Sequence, residues 1–262
     1  MIVIVDYGAG NLTSVARAVS YLGYDSVITD NPEKIAAAER VIFPGVGAAG
    51  AAMEMMQKKG IDLALKKAFE SKTPMLGICV GCQIIMDRSE ENDALCLGLI
   101  SGEAREFFRN MITGNMNSCT IEGKISSPLS ERSAGACSCG ASSNDKFTKP
   151  VDSAKSVDDT KSMNDVETDQ VMLKVPHMGW NGLDIVKDHP LLKGIKAEDE
   201  FYFVHSYFPV PVDQGDVYGT TEYGIVFASA IGRDNLFATQ FHLEKSGEPG
   251  LMILRNFCTW KP

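Results

Sequence analysis

The sequence predicts an α/β fold built on a central, mostly parallel sheet that is flanked by helices. In the N-terminal half, short runs of β-branched residues alternate with stretches whose apolar residues recur at helical spacing. Buried strands separated by helices are typical of parallel sheets. In the C-terminal part, strand-like runs follow one another across short turns, which indicates additional antiparallel strands. With 262 residues, 44% of them hydrophobic, the chain can bury the core of one domain spanning residues 1–262.

The N-terminal elements are predicted from this alternation. Residues 2–5 (IVIV) form a strand, and the run LTSVARAVSYLG that starts at Leu12 forms a helix. The next predicted elements are the strand 25–30 (DSVITD), the helix 34–39 (KIAAAE), the strand 40–45 (RVIFPG), one long helix 51–71 and the strand 74–79 (PMLGIC), which runs into VGCQIIMDR. The carboxyl ends of these parallel strands should meet at one edge of the sheet, where sites of α/β proteins assemble.

The C-terminal elements are predicted to be mainly strands. They are 200–208 (EFYFVHSYF), 217–224 (VYGTTEYG), 225–233 (IVFASAIGR) and 235–242 (NLFATQFH). No helical stretch separates them, so some should pair antiparallel. A final helix over 249–260 (PGLMILRNFCTW) is expected to pack back on the sheet.

Between the two halves, the composition shifts at about residues 109–170 to Ser, Asn, Asp, Lys and Gly, with few large apolar residues. Such a segment cannot bury enough apolar surface to offset the entropy lost on ordering it. We predict a largely disordered insertion that interrupts the domain. Its three cysteines, Cys119, Cys137 and Cys139, are expected to be accessible thiols, because no fourth ligand at zinc spacing lies nearby.

Charge and cysteine content argue against several classes of function. The net charge of −9 speaks against a nucleic-acid backbone or an anionic membrane surface as the main partner. The N-terminus lacks the pattern of a signal peptide, and no apolar run approaches the roughly 20 residues of a membrane span, so a cytoplasmic protein is expected. Seven cysteines in such a chain are expected to be reduced thiols.

Two cysteines three residues apart, Cys79 and Cys82, are compatible with a metal clip, a redox pair or a single nucleophile. The glycines at 77 and 81 complete a G-x-C-x-G pattern at a strand-to-helix junction, which is typical of a nucleophile elbow. Helix N-terminal N–H groups at that junction favour thiolate over thiol. A redox pair would not require these glycines. We therefore predict that Cys79 is the nucleophile and that Cys82, inside the helix, is a packing residue.

The segment QFHLEKS (240–246) supplies a histidine and a carboxylate two residues apart. Side chains at i and i+2 of an extended chain face the same way, so Glu244 can hold His242 in one tautomer. A histidine and a glutamate at this spacing are common, but together with the elbow cysteine they form the nucleophile, base and orienting carboxylate of a predicted catalytic triad.

Two glycine-containing turns are candidates for binding elements. The turn FPGVGA ends a strand near Val46 and Gly47, whose backbone N–H groups are candidates for an oxyanion hole. The turn DYGAGN resembles a dinucleotide fingerprint, but Thr13 occupies the position of the third glycine, so a nucleotide cofactor is not predicted.

Together, five segments resemble the class I glutamine amidotransferases and, within them, the glutaminase subunit of imidazole glycerol phosphate synthase. The segments are PGVG (44–47), GICVGCQ (77–83), PHMGWN (176–181), FYFVHSY (201–207) and QFHLEKS (240–246). The start MIVIVDYGAGNL and the run HMGWN are the most diagnostic of this subfamily, and the resemblance covers nearly everything outside the insertion.

The resemblance implies a class I glutamine amidotransferase fold and hydrolysis of glutamine to glutamate without a cofactor or a metal. The ammonia would pass to a separate (βα)8-barrel cyclase, the partner subunit in histidine biosynthesis. By this resemblance Cys79 attacks the carboxamide, His242 transfers protons and Glu244 orients His242. The remaining site residues carried over are Val46, Gly47 and Val80 for the oxyanion, and Gly47, Gln83, Ser206 and Tyr207 for glutamine.

The resemblance also implies an interface with the cyclase. The residues carried over to it are His177, Met178, Trp180, Asn181 and Lys245. For His177 and Trp180, packing in a core or a turn is the alternative interpretation. His205 is expected to pack in the core and not to contact substrate.

The sequence departs from the family pattern in three places. Cys82 stands where methionine is usual, Leu243 stands where proline is usual, and the segment 109–170 has no counterpart in typical members. The loss of proline is expected to loosen the backbone between His242 and Glu244.

Three alternatives stay open. The chain could serve a paralogous cyclase-like partner that amidates a sugar intermediate, it could be a cysteine hydrolase that acts alone, or it could be a scaffold without activity. An α/β-hydrolase places the acid before the histidine in the chain, whereas Glu244 follows His242, so the second alternative is disfavoured.

Overall fold

The computed structural model describes residues 1–8, 10–107 and 174–262, all within one compact unit. The predicted insertion at 109–170 lies outside these residues. The described strands are β1 Ile2–Val5, β2 Ser26–Thr29, β3 Arg40–Gly45, β4 Met75–Cys79, β5 Arg88–Ser89, β6 Ala94–Leu95, β7 Gly102–Glu106, β8 His177–Gly182, β9 Asp184–Ile185, β10 Glu200–His205, β11 Tyr207–Pro211, β12 Val217–Tyr223, β13 Ile225–Arg233 and β14 Leu236–Thr239. The described α-helices are α1 Leu12–Tyr21, α2 Pro32–Ala36, α3 Ala49–Lys59, α4 Ile61–Glu70, α5 Val80–Gln83 and α6 Gly247–Thr259.

The main sheet confirms the predicted fold class. Eight of the described strands follow the order β2-β1-β3-β4-β14-β13-β12-β9. The first five pair in parallel, and the last three are added antiparallel through β13. Strands β1, β4 and β14 are buried at every position, as expected for strands covered by helices on both faces. None of the described helices is long and apolar enough to cross a membrane.

Two smaller sheets lie beside the main one. Strands β10 and β8 form an antiparallel ribbon, and β11, β7, β5 and β6 form a four-stranded sheet. The predicted single strand 200–208 is therefore wrong. It is divided at Ser206, because β10 pairs with β8 whereas β11 pairs with β7.

The predicted long helix 51–71 is also wrong, because it consists of α3 and α4. Gly60 ends the first helix and begins the second in the left-handed region, with φ of 71°. Glycine adopts this conformation at no steric cost, which makes it a common helix terminator. Likewise, the predicted helix 34–39 begins earlier, with Asn31 accepting hydrogen bonds from the backbone N–H groups of Glu33 and Lys34.

Candidate active site

Cys79 ends β4 and immediately precedes α5, at the carboxyl edge of the parallel strands. Its backbone has φ of 56° and ψ of −104°, a strained conformation for a residue with a side chain. Gly81 permits the tight turn, because a Cβ there would lie 2.1 Å from the carbonyl oxygen of Phe43. This is the predicted nucleophile elbow, although its helix runs for only four residues and not into IIMDR.

The thiol of Cys79 has two polar neighbours. It donates to the backbone carbonyl of Val204 at 3.9 Å, and its sulfur accepts from Nε2 of Gln240 at 3.8 Å. Cys79 is 3% exposed, so both contacts are shielded from water. A protonated Cys79 can therefore donate to a backbone oxygen, whereas a thiolate would accept from the Gln240 amide.

His242 and Glu244 form the predicted pair. Nδ1 of His242 donates to Oε1 of Glu244 at 2.7 Å, and both side chains are almost completely buried. A carboxylate can only accept, so this bond fixes the proton on Nδ1. The Nε2 atom of His242 is buried and has no hydrogen-bond partner among residues 1–8, 10–107 and 174–262. It is the ring nitrogen left for proton transfer.

The backbone that carries this pair is not the extended chain that the spacing suggested. Strand β14 ends at Thr239, and Leu243–Lys245 form one 3-10 turn with His242 as its first flanking residue. The turn is tied down by the backbone hydrogen bond from His242 to the carbonyl of Tyr202 and by the Ser246 hydroxyl, which donates to the His242 carbonyl at 2.6 Å.

Leu243 occupies the position of the missing proline in this turn, and the bond between His242 and Glu244 is present with it. Leu243 is fully buried and occupies the first position of the turn. An N–H at that position has no partner within a helical turn, so proline and leucine fit it equally well.

The electrostatics of His242 depend on its two neighbours. Burial lowers the pKa of His242 and is the largest single effect, but Cys79 and Glu244 together outweigh it and raise the pKa to about 9. The imidazole therefore holds a proton at neutral pH, and a nearby thiolate is its natural counter-charge.

Asn11 is a site residue that sequence reasoning missed. Its Nδ2 donates a hydrogen bond to Oε1 of Glu244, the same oxygen that accepts from His242. Asn11 precedes α1 in the left-handed region, with φ of 78°. The one sequence signal at this position is the segment DYGAGN (6–11), which resembles a nucleotide-binding fingerprint and gives no indication of a contact with Glu244.

A cavity of about 390 Å³ opens at the nucleophile, within the range of small-molecule sites. The structure brings to it all of the predicted oxyanion and substrate residues, together with Cys79 and Lys245. Those that line it are Val46, Gly47, Cys79, Val80, Gln83, Ser206, Tyr207 and Lys245. Gly47 has φ of 107°, a conformation that glycine adopts readily. His242 and Glu244 do not line the cavity and are buried.

Glu91 also lines this cavity and was not predicted. Its Oε2 accepts the backbone N–H of Ala49 at 2.6 Å, which places the carboxylate at the start of α3. Among the lining residues that the structure describes, Glu91 carries the only carboxylate and Lys245 the only ammonium group. The cavity thus offers one anion and one cation, as a bound amino acid requires.

The predicted interface residues divide into two groups. Met178 and Trp180 are exposed by 62% and 55%, and Lys245 is exposed on the 3-10 turn nearby. His177 is only 2% exposed and stacks on Tyr223 with ring centroids 4.0 Å apart. The burial of this ring favours core packing, the alternative interpretation of His177, and its contact with a partner stays a prediction.

Hydrogen bonds fix the roles of the two buried histidines. Nδ1 of His205 donates to the carbonyl of Tyr207 at 2.9 Å, so Nε2 of His205 accepts from Nδ1 of His177 at 3.0 Å. Nε2 of His177 then accepts from the Asn181 amide at 3.3 Å. Burial lowers the pKa of His177 to about 4. Burial is also the main cause that lowers the pKa of His205 to about 3, where the hydrogen bond to Tyr207 acts in the opposite direction and the charges of His177 and His242 act in the same direction. Both rings are neutral, and His205 packs in the core as expected, although it also lines the cavity.

Cys82 is fully buried, and burial together with the charge of Cys79 raises its pKa well above the ordinary range. A thiol in that state is a poor nucleophile. Within the described ranges, no group of three or more His, Cys, Asp or Glu side chains is placed to hold a metal ion.

Fold and site together define a class I glutamine amidotransferase. Residues 3–260 match the family described as "Glutamine amidotransferase class-I". The chain is 42% identical over 257 residues to the imidazole glycerol phosphate synthase subunit HisH of Nitratidesulfovibrio vulgaris, covering 98% of this chain and 95% of that protein. It is 37% identical over 263 residues to HisH of Dechloromonas aromatica, covering 100% and 97%. The chain therefore belongs to the family of HisH subunits of imidazole glycerol phosphate synthase, and is an amidotransferase subunit rather than a stand-alone cysteine hydrolase.

Solved structures agree on the fold. A chain described as "Crystal structure of glutamine amidotransferase" superposes with a TM-score of 0.59 at 13% identity, covering 99% of this chain and 100% of that one. A chain of "Structure of PurLQS from Thermotoga maritima" also gives 0.59, at 14% identity, with coverage of 98% and 96%.

Proposed function

We propose that this chain hydrolyses glutamine to glutamate and ammonia with Cys79, His242 and Glu244 as its catalytic triad. The observation that carries this assignment is the elbow cysteine beside a buried histidine whose other ring nitrogen is fixed by a carboxylate. Val46, Gly47 and Val80 would supply the oxyanion hole, since all three line the cavity at the nucleophile. Gly47, Gln83, Ser206, Tyr207 and Glu91 would contact glutamine.

The geometry suggests the order of events. The Cys79 thiolate attacks the side-chain carboxamide carbon, and the carbonyl oxygen takes up the negative charge. The protonated His242 gives its Nε2 proton to the departing nitrogen, so ammonia leaves and a thioester remains. The neutral ring then takes a proton from water, which attacks the thioester, releases glutamate and restores the thiolate and imidazolium.

We further propose a partner, a (βα)8-barrel cyclase that receives the ammonia and makes imidazole glycerol phosphate and AICAR in histidine biosynthesis. Met178, Trp180, Asn181 and Lys245 would contribute to the interface, because the first two are exposed and close in sequence on β8. The free chain is expected to be nearly idle. Nε2 of His242 makes no hydrogen bond among the described residues, so no described group holds this proton donor in place, which supports activation by binding.

The test is glutamine hydrolysis by the purified chain with and without the cyclase and its nucleotide ligand. We expect ammonia release to rise by about a hundredfold or more, the upper range of ordinary coupling between sites. A cyclase-like paralogue that amidates sugars serves as the comparison partner. Equal rates with and without the histidine-pathway cyclase would refute the proposed partner, and activation by the paralogue alone would reassign it.

A second prediction concerns substrate binding by Glu91. Glu91→Gln removes the negative charge and keeps an oxygen to accept the Ala49 N–H. A lost charge-assisted hydrogen bond to the substrate ammonium should raise KM for glutamine about 10- to 100-fold with a smaller change in kcat. Steady-state kinetics of the activated complex measure this. Glu54→Gln, on the solvent face of α3, is the matched control, and an unchanged KM in Glu91→Gln would remove Glu91 from the substrate site.

A further inference from the structure

One backbone carbonyl orients the side chains around the nucleophile. The carbonyl oxygen of Tyr207 accepts from Nε2 of Gln83 at 2.9 Å and from Nδ1 of His205 at 2.9 Å. A carbonyl oxygen can only accept, so the atom of Gln83 that faces it must be the amide nitrogen. This contact removes the usual ambiguity between the oxygen and nitrogen of an amide side chain.

The orientation of Gln83 determines that of Gln240. Nε2 of Gln83 also lies 3.3 Å from the side chain of Gln240, and because it is a donor it must meet Oε1 there. The amide nitrogen of Gln240 is consequently the atom that lies 3.8 Å from the Cys79 sulfur. The chain of hydrogen bonds thus begins at a backbone carbonyl and ends at the reacting atom.

Burial and anchoring make this donor rigid. Gln240 is fully buried and Gln83 is 4% exposed. The backbone N–H of Gln240 donates to the carbonyl of Ser229 at 2.8 Å, which fixes the start of the side chain. A buried N–H held in this way stabilises a neighbouring anion more than a solvated one does.

We propose that Gln240 is a further catalytic residue, whose amide N–H donates to the Cys79 sulfur and stabilises the thiolate, and that Gln83 is the positioning residue that turns this amide toward the sulfur. The inference rests on the proposed role of Cys79 as nucleophile. It also limits the predicted substrate contact of Gln83. Both hydrogens of its Nε2 are engaged within the protein, so glutamine would meet Oε1, an acceptor, and contribute the donor itself.

The test measures the thiolate directly and not glutamine turnover. Iodoacetamide alkylates thiolates, and peptide mass spectrometry of the free chain follows the rate at Cys79 alone between pH 5 and about 10. In Gln240→Met, which keeps the length of the side chain but has no N–H, the midpoint of the alkylation profile should rise by about one pH unit. The other titratable groups that act on Cys79 or line the same cavity keep their identity in this variant, namely Tyr7, Cys82, Glu91, His205, Tyr207, His242 and Lys245.

Three further variants sharpen the result. Gln240→Asn shortens the side chain and should shift the midpoint in the same direction, which keeps the test available if Gln240→Met does not fold. Gln83→Met should give a smaller shift, because it loosens the orientation and leaves the Gln240 donor in place. Thr239→Val is the matched control, since Thr239 is equally buried in the same segment but donates to the Phe241 carbonyl, and its profile should match the wild type.

Profiles of Gln240→Met and Gln240→Asn that coincide with the wild type would overturn the proposal, and so would an equal shift in Thr239→Val. The outcome is separable from the proposed function. A shifted alkylation profile in a protein that never releases ammonia from glutamine would leave the hydrogen bond to sulfur intact and refute the glutaminase assignment alone.

Discussion

Replacing Cys79 by alanine is expected to abolish release of ammonia from glutamine, with a loss of more than about 10⁴-fold in the complex with the cyclase. The reason is chemical, since no other nucleophile is available at the elbow. Cys82 is three residues away but fully buried, and its raised pKa keeps it as a thiol. The measurement is glutamate formation under saturating glutamine with the cyclase and its nucleotide ligand present.

Cys82→Ala is the matched control for this experiment. It removes one buried sulfur atom and should leave activity within a few-fold, with a modest loss of stability from the small cavity. A glutamine-like electrophile should label Cys79 in wild type and in Cys82→Ala, and should label nothing at this site in Cys79→Ala. Retained ammonia release by Cys79→Ala would refute the mechanism, and failure to label wild-type Cys79 would favour a scaffold without activity.

The second large effect is expected at Glu244. In Glu244→Gln, the side chain loses the charge that stabilises the protonated ring of His242, although its oxygen can still accept from Asn11 and from Nδ1 of His242. A comparable change at the carboxylate of a serine protease triad costs about 10⁴-fold, and we expect a loss of about 10³- to 10⁴-fold in kcat here. Glu248→Gln, at an exposed position of α6, should have no effect.

The pH dependence provides an independent readout of the same residue. His242 must be protonated to deliver a proton to ammonia, and its pKa is raised to about 9, so wild-type activity should persist at neutral pH and fall as the pH rises through about 9. The Glu244 carboxylate is one of the groups that raise this pKa. In Glu244→Gln the falling limb should therefore move to lower pH. Profiles of kcat/KM between pH 6 and about 10 measure it, and a limb that does not move would mean that Glu244 does not set the charge of His242.

Local sequence patterns were sufficient for the parallel half of the sheet and for the nucleophile. The strands around Ile2–Val5 and Met75–Cys79 are short β-branched or apolar runs, and their burial follows from that composition. The elbow is a property of five consecutive residues. Local patterns do not show where an element ends when a distant strand or one backbone conformation sets its boundary. At Ser206, pairing with two different strands divides one predicted strand. At Gly60, a left-handed residue divides one predicted helix.

The missed site residues have the same explanation. Asn11 is far in sequence from the triad and Glu91 follows Cys79 on a separate turn, and nothing in their local pattern indicates which groups they will meet. The sequence predicts the pairing of His242 and Glu244 from an extended chain, whereas the structure forms it across a 3-10 turn, where a spacing of two residues also brings side chains together. Family resemblance supplied the roles of Ser206 and Tyr207, which composition alone would not have assigned.

The ribbon of β8 and β10 has a mechanical consequence. Met178, exposed on the face proposed for the partner, is the register partner of Val204, whose carbonyl oxygen lies 3.9 Å from the Cys79 sulfur. The two residues lie directly opposite each other on adjacent strands of this ribbon. A partner that displaces β8 would therefore displace β10 with it and change the contact between the Val204 carbonyl and the Cys79 sulfur.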